Sequence, residues 1–178
     1  MAPLSLAFAG RRYPLVPIIA NCNVPPLATF RRSYEVGRTL GRAIRSGPAG
    51  RVVVIGTGGL SHWVGSPAYR DFMRDAPGTR LARQADYPLT LTDTGEINEE
   101  FDRLFLRSVC EGRALDFLRD WDTERVFREA GNGAQEVRNW LTVAGALDDA
   151  PAELIAYGAV APWLTGTAVA RFRVPAVH

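Results

Sequence analysis

The sequence predicts a layered α/β fold, on three observations. Short β-branched runs alternate with segments of helical periodicity, as they do where helices are laid on a sheet. One run, Arg51 to Ile55, is continuously apolar after its first residue, the pattern of a strand covered on both faces. And 178 residues, 47% hydrophobic and 22% charged, suffice for one domain, 1–178, whose core needs no disulfide or metal in order to fold.

Leu15 to Cys22 is β-branched and bounded by prolines, and reads as a first strand. Thr29 can cap a helix whose apolar stripe is Val36, Leu40, Ala43 and Ile44 and which Gly47-Pro48 ends, with Arg31, Arg38, Arg42 and Arg45 on a solvated face. Arg51 to Ile55 is the candidate central strand. From Ser66 to Thr92 the periodicity fades, so a long excursion is expected, with one short helix around Tyr69 to Arg74. Asn98 then starts a helix with an acidic first turn and a stripe of Phe101, Leu104, Phe105 and Val109, ending at Gly112. Arg113 to Ala130 continues as helix with Trp121, Val126 and Phe127 to bury, and stops at Gly131. Asn132 to Gln135 reads as a capping box for a helix that buries Ala134, Val137, Trp140, Leu141, Ala144 and Leu147. Gln135, Arg138 and Asn139 fall toward solvent or a neighbouring loop. Leu154 to Val160 and Thr167 to Phe172 close the chain as strands, and the four tryptophans are core or pocket wall rather than a stacking platform.

All 21 basic residues are arginine, which excludes Schiff-base lysine chemistry and the lysine of a P-loop. Against 19 acidic residues the net charge is +2, too small for a nucleic-acid surface. Cys22 and Cys110 form no C-x-x-C pair and read as reduced core thiols. The apolar opening carries Arg11 and Arg12 on the wrong side for a secretory signal, and no window is long enough to span a membrane. A soluble cytoplasmic protein is expected.

The sharpest local signal is Gly56-Thr57-Gly58-Gly59-Leu60-Ser61-His62, directly after the Arg51–Ile55 run. Ligands of open α/β sheets bind beyond the carboxyl ends of strands, where glycines let the backbone approach them. His62 there can exchange a proton with a substrate near neutral pH, or it can be a buried histidine that only hydrogen-bonds its loop; position alone does not separate the two. The dinucleotide pattern fails because Ser61 stands at its third glycine, and the nucleophile elbow fails because Trp63 stands at its last. Ser61 as a hydrolase nucleophile is correspondingly weak. Glu136, at the edge of the next helix's apolar stripe, is either a ligand or a first-turn glutamate favoured by the helix dipole, and the dipole alone accounts for it well.

Taken together, these residues resemble the class III extradiol ring-cleavage dioxygenases, the superfamily of the protocatechuate 4,5-dioxygenase catalytic subunit. The resemblance is carried by Tyr13-Pro14-Leu15-Val16-Pro17 with Asn23-Val24-Pro25-Pro26 and by Gly56 to His62. It continues through Ile97-Asn98-Glu99-Glu100-Phe101-Asp102 with Phe105-Leu106, Gly133-Ala134-Gln135-Glu136-Val137 with Trp140-Leu141, Gly145-Ala146-Leu147 and Gly166-Thr167-Ala168-Val169. It implies an α/β/α sandwich with a mixed, mostly parallel central sheet, non-haem iron(II), O2 and a catechol-like substrate. It implies that His62 is the acid/base residue, that Glu136 is the carboxylate ligand, and that Gly58, Gly59, Ser61 and Thr167 line the substrate pocket. Iron(II) dioxygen chemistry uses two histidines and one carboxylate on one face of the metal. In the family both histidines precede the segment matching Tyr13, and residues 1–12 contain none, so the chain matches the C-terminal half.

Two readings from different classes follow. In the first, the chain is an extradiol dioxygenase-type protein, incomplete without a partner or an N-terminal half. In the second, it is a noncatalytic dioxygenase-like subunit or a metal-free protein that binds an aromatic ligand. Either way, uncovered strand edges predict a homo- or hetero-oligomer.

Overall fold

The computed structural model describes residues 13–23, 26–48, 50–64 and 96–174. The excursion expected over 66–92, with its short helix, lies outside them. The described residues form an α/β chain in the order α1 (Phe30–Arg45), α2 (Glu99–Cys110), α3 (Ala114–Asp120), α4 (Thr123–Ala130), a 3-10 turn (Gly133–Glu136), α5 (Val137–Ala146), β1 (Ala152–Val160) and β2 (Thr165–Phe172). β1 and β2 pair antiparallel from Ala152↔Phe172 to Val160↔Thr165, with one irregularity between Leu154 and Ala156. Their connection turns at Leu164, which takes the left-handed conformation at φ 50°.

The caps read from sequence hold for two helices: Thr29 accepts from Arg32 N at 3.1 Å and Asn98 from Phe101 N at 2.9 Å. Elsewhere the periodicity misleads. The buried face of α1 is Phe30, Ser33, Tyr34, Gly37 and Gly41, while Val36 and Ala43 are exposed. The reason is the partner: α1 packs on α5 so closely that a Cβ on Gly37 or Gly41 would collide with the α5 main chain at Thr142 or Ala146, and one on Gly145 with Tyr34 O. Contact between main chains selects small residues, which a hydrophobic count overlooks. Leu104 on α2 is likewise exposed, and Leu106 is buried in its place. The single helix expected over 113–130 is two, because Trp121 leaves the helical region (φ −121°, ψ 106°) and Asp122 caps a new start by accepting from Arg125 N at 2.7 Å. Asn132 makes no capping bond, so the capping box is not formed; its side chain is taken by Val64 instead.

The core is aromatic. Phe101 meets Trp121 edge-on at 5.0 Å between ring centroids and Phe105 meets Phe117 at 4.9 Å, in the tilted geometry that ring quadrupoles favour. Leu60, Val126, Val137 and Leu141 complete it, and Tyr157, Ala168, Ala170 and Phe172 bring the inner face of the hairpin against it.

The two runs read as strands, 15–22 and 51–55, have no ladder partner among the described residues. Hydrogen-bonded neighbours define a strand, and these runs keep the apolar pattern without them. Val16 and Ile19 are 87% and 94% exposed and Val53 75% exposed, the reverse of the covered strand expected. Trp163, also 64% exposed, departs from the core role expected of it.

Candidate active-site loop

Residues 56–62 leave the 51–55 run and cross beneath the start of α5. Three consecutive loop residues are held there by three side chains spaced i, i+3 and i+4, hence on one helical face. Asn139 Nδ2 donates to Thr57 O at 2.6 Å, Trp140 Nε1 donates to Gly58 O at 3.0 Å, and Gly59 N donates to Glu136 Oε2 at 2.6 Å. The glycines are required by this closeness: a Cβ on Gly58 would lie 2.9 Å from Glu136 Cβ, and one on Gly56 would lie 2.9 Å from Asn139 O. Glu136 therefore does not sit idle at a helix start. Its carboxylate caps the glycine loop.

His62 is 5% exposed and its backbone is tied on two sides. His62 N donates to Ala130 O at 3.0 Å and Gly133 N donates to His62 O at 3.1 Å, while Leu60 N and Ser61 O bond Gly166 at 2.8 and 2.9 Å and His62 bridges Thr165. Glycines flank the ring. A Cβ on Gly59 would lie 2.9 Å from His62 Cε1, and one on Gly133 would overlap the ring at Nε2. Nδ1 lies 2.9 Å from Leu60 O. A carbonyl only accepts, so Nδ1 carries the hydrogen, and in the neutral ring Nε2 then carries the lone pair, the arrangement of a general base.

Beneath the loop lies a buried carboxylate for which no role was read from sequence. Asp102, fully buried on α2, accepts from Ser61 N at 2.7 Å, Ser61 Oγ at 2.9 Å and Tyr157 Oη at 3.0 Å. Ser61 Oγ in turn accepts from Asn98 N at 2.9 Å. Burial pushes the Asp102 carboxyl above its ordinary value, opposed by the Ser61 and Tyr157 bonds; burial and then Asp102 keep the Tyr157 phenol protonated. Ser61 is thus committed on both sides, and no histidine bonds it among the described residues, so the arrangement offers no serine nucleophile.

Of the residues expected to face solvent or a neighbouring loop, Asn139 faces the glycine loop, while Gln135 and Arg138 are buried. Arg138 donates to Ala28 O, Gln135 O and Thr123 Oγ1 and lies 4.3 Å over the Phe30 ring. Only arginine places five donors in one fixed plane, where they can serve three separate segments. Thr167 lies on β2 opposite Gly158, and the threonine beside His62 is Thr165. Cys22 and Cys110 are free; Cys22 is buried, its Sγ 4.0 Å from Asn139 Oδ1, and burial raises its thiol.

The donor set for iron(II) is two histidines and a carboxylate. Among the described residues no group of three His, Cys, Asp or Glu is placed to hold a metal. His62 presents one bare nitrogen and Glu136 one carboxylate, so these residues do not make a complete site. Nor is any described helix long and apolar enough to cross a membrane.

The model of the family described as the catalytic LigB subunit of aromatic ring-opening dioxygenase matches residues 1–172. The chain is 33% identical to the 2,3-dihydroxyphenylpropionate/2,3-dihydroxicinnamic acid 1,2-dioxygenase of Xanthobacter autotrophicus, over 89% of this chain and 57% of that one. It is 39% identical to the like-named protein of Paraburkholderia xenovorans, over 76% and 48%, and 31% identical to that of Cupriavidus pinatubonensis, over 88% and 56%. It spans about half the length of these curated relatives.

Proposed function

Because the chain belongs to the family of the catalytic LigB subunit of aromatic ring-opening dioxygenases, we propose that it supplies the proton-transfer half of an extradiol ring-cleavage site. The substrate class is a 2,3-dihydroxyphenyl ring with a carboxylate-bearing side chain, the class in the names of its relatives. O2 is the second substrate. The observation that carries the reading is the placement of His62: buried, fixed by its Nδ1 hydrogen bond, with Nε2 on the other side of the ring and the Glu136 carboxylate across Gly59. Such a histidine takes the proton of a ring hydroxyl as the substrate binds and returns it to the product side. Gly58 and Gly59 line the pocket in this reading.

Iron(II), when bound, would activate catecholate and O2 together. Of the described residues Glu136 serves as a ligand, and the two histidines would be supplied by a histidine-bearing segment such as the relatives' remaining half. We assign the whole 1–178 to a single domain of a layered α/β/α fold whose mostly parallel sheet includes 15–22 and 51–55. Their exposed apolar character supports that assignment. The free cysteines support action in the cytoplasm, and the small net charge supports a small-molecule partner rather than a nucleic acid.

The experiment is iron(II) analysis and oxygen uptake with 2,3-dihydroxyphenylpropionate, on the full chain alone and mixed with the histidine-bearing N-terminal region of a relative. Uptake in the mixture alone is expected. His62→Ala should then keep iron and lose turnover by a factor of about 10²–10⁴, and Glu136→Ala should lose iron. Iron loss in His62→Ala would overturn the assignment of roles. A metal-free relative that binds aromatic ligands is the second reading, favoured by the missing three-donor cluster among the described residues; ligand binding with neither iron nor uptake in the mixture would select it.

A further inference from the structure

One peptide group joins Asp102 to His62. The Leu60–Ser61 peptide donates through Ser61 N to Asp102 Oδ1 at 2.7 Å, and through Leu60 O it accepts from His62 Nδ1 at 2.9 Å. The donor and the acceptor of a single amide are therefore engaged at opposite ends, by a buried carboxylate and by the candidate base. We propose that Asp102 is a positioning residue that holds His62 in its Nδ1–H tautomer by a carboxylate–peptide–imidazole relay. The proposal rests on the reading of His62 as the proton-transfer residue.

Three physical points support the relay. A peptide is planar, so fixing the direction of its N–H fixes the direction of its C=O and with it the angle at which the imidazole is held. An anion on the N–H draws electron density toward the carbonyl oxygen, which strengthens it as an acceptor, and hydrogen bonds in series reinforce one another where water is excluded. Finally, the anion itself is locked. The Ser61 hydroxyl, already receiving Asn98 N–H, turns its hydrogen to Asp102, and the Tyr157 phenol donates to the same carboxylate. Three donors converge on the carboxylate, and no space is left on its far side. A Cβ on Gly166 would collide with Oδ2.

The test reads the imidazole directly. The chain has two histidines, and His178 at its terminus serves as an internal reference. Ring nitrogen-15 spectra of the full chain, taken above the ordinary imidazole titration range, should show His62 as a single Nδ1–H tautomer with an exchange-protected Nδ1 proton. Asp102→Asn should collapse the two His62 ring-nitrogen signals toward an averaged position and lose that protection, while His178 does not move. Ser61→Ala, which removes the hydroxyl but keeps the Ser61 N–H to Asp102, should retain the wild-type pattern. An unchanged His62 pattern in a folded Asp102→Asn chain would overturn the relay, as would an equal collapse in Ser61→Ala, which would mark general loosening of the loop. If Asp102→Asn does not fold, the wild-type spectrum still decides: an Nε2–H tautomer or an unprotected ring proton would overturn the relay. Turnover is not read, so failure of the ring-cleavage assignment would leave this result standing, and the reverse holds too.

Discussion

Gly166 packs directly on the Asp102 carboxylate, with no room for a single carbon between them. Gly166 also brackets the loop, accepting from Leu60 N and donating to Ser61 O. Gly166→Ala therefore overfills a rigid polar spot and should cost about 1–3 kcal/mol, measured by urea unfolding. A variant as stable as the wild type would mean that Asp102 can retreat.

Arg138 is fully buried and its guanidinium serves four carbonyl or hydroxyl acceptors, Ala28 O, Gln135 O, Gln135 Oε1 and Thr123 Oγ1. Lysine offers a point charge where a planar fork is needed. Arg138→Lys should lose about 2 kcal/mol or more through the acceptors left unpaired, read as a lower denaturation midpoint with an unchanged slope.

Asp149 has a left-handed backbone at φ 55° and accepts from Tyr34 Oη at 2.6 Å. Burial, the first cause, and Asp148 push its carboxyl above the ordinary value, against the Tyr34 bond. The sign follows. With the folded value above the unfolded one, the folded state binds more protons in that window, so this group adds stability as pH falls through it and costs stability above it. Asn tolerates the left-handed region and keeps the acceptor. Asp149→Asn should therefore be more stable than the wild type at neutral pH, and the gain should shrink on acidification. Unfolding midpoints of both chains measured across the carboxylate range would show a flat difference if the idea is wrong.

Val16, Ile19, Val52, Val53 and Ile55 stand more than half exposed on two runs with no ladder partner among the described residues. Such faces associate. Sedimentation should show concentration-dependent self-association that Ile19→Glu with Val53→Lys reduces without altering the circular dichroism. A wild-type chain that remains monomeric at high concentration would contradict this.

What could be read from the chain, and what could not, divides along physical lines. Caps were legible where the capping bond is local, as at Thr29 and Asn98, and the two closing strands were legible as well, within two residues of their bounds. The glycine loop and His62 stood out because glycine runs have few other uses. Strand status at 15–22 and 51–55 was not legible, because a ladder depends on a neighbour. The α1 stripe was missed because Gly37 and Gly41 bury by being small. Asp102, Asn132 and Arg138 were missed because each serves backbone groups far along the chain, up to 110 residues away for Arg138 and Ala28. One local pattern was available and unused: Glu136, Asn139 and Trp140 share a helical face and grip successive loop residues.

The glycine contact between α1 and α5 sets a spacing that side-chain exchange cannot adjust. Gly37, Gly41 and Gly145 bring main chain onto main chain, so van der Waals radii alone determine the gap. Glu136, Asn139 and Trp140 all ride on that helix or its first turn. The loop that carries His62 is therefore gauged from a nearly incompressible seam. Any adjustment of the loop's surroundings then has to come elsewhere, at positions whose side chains are free to vary in size.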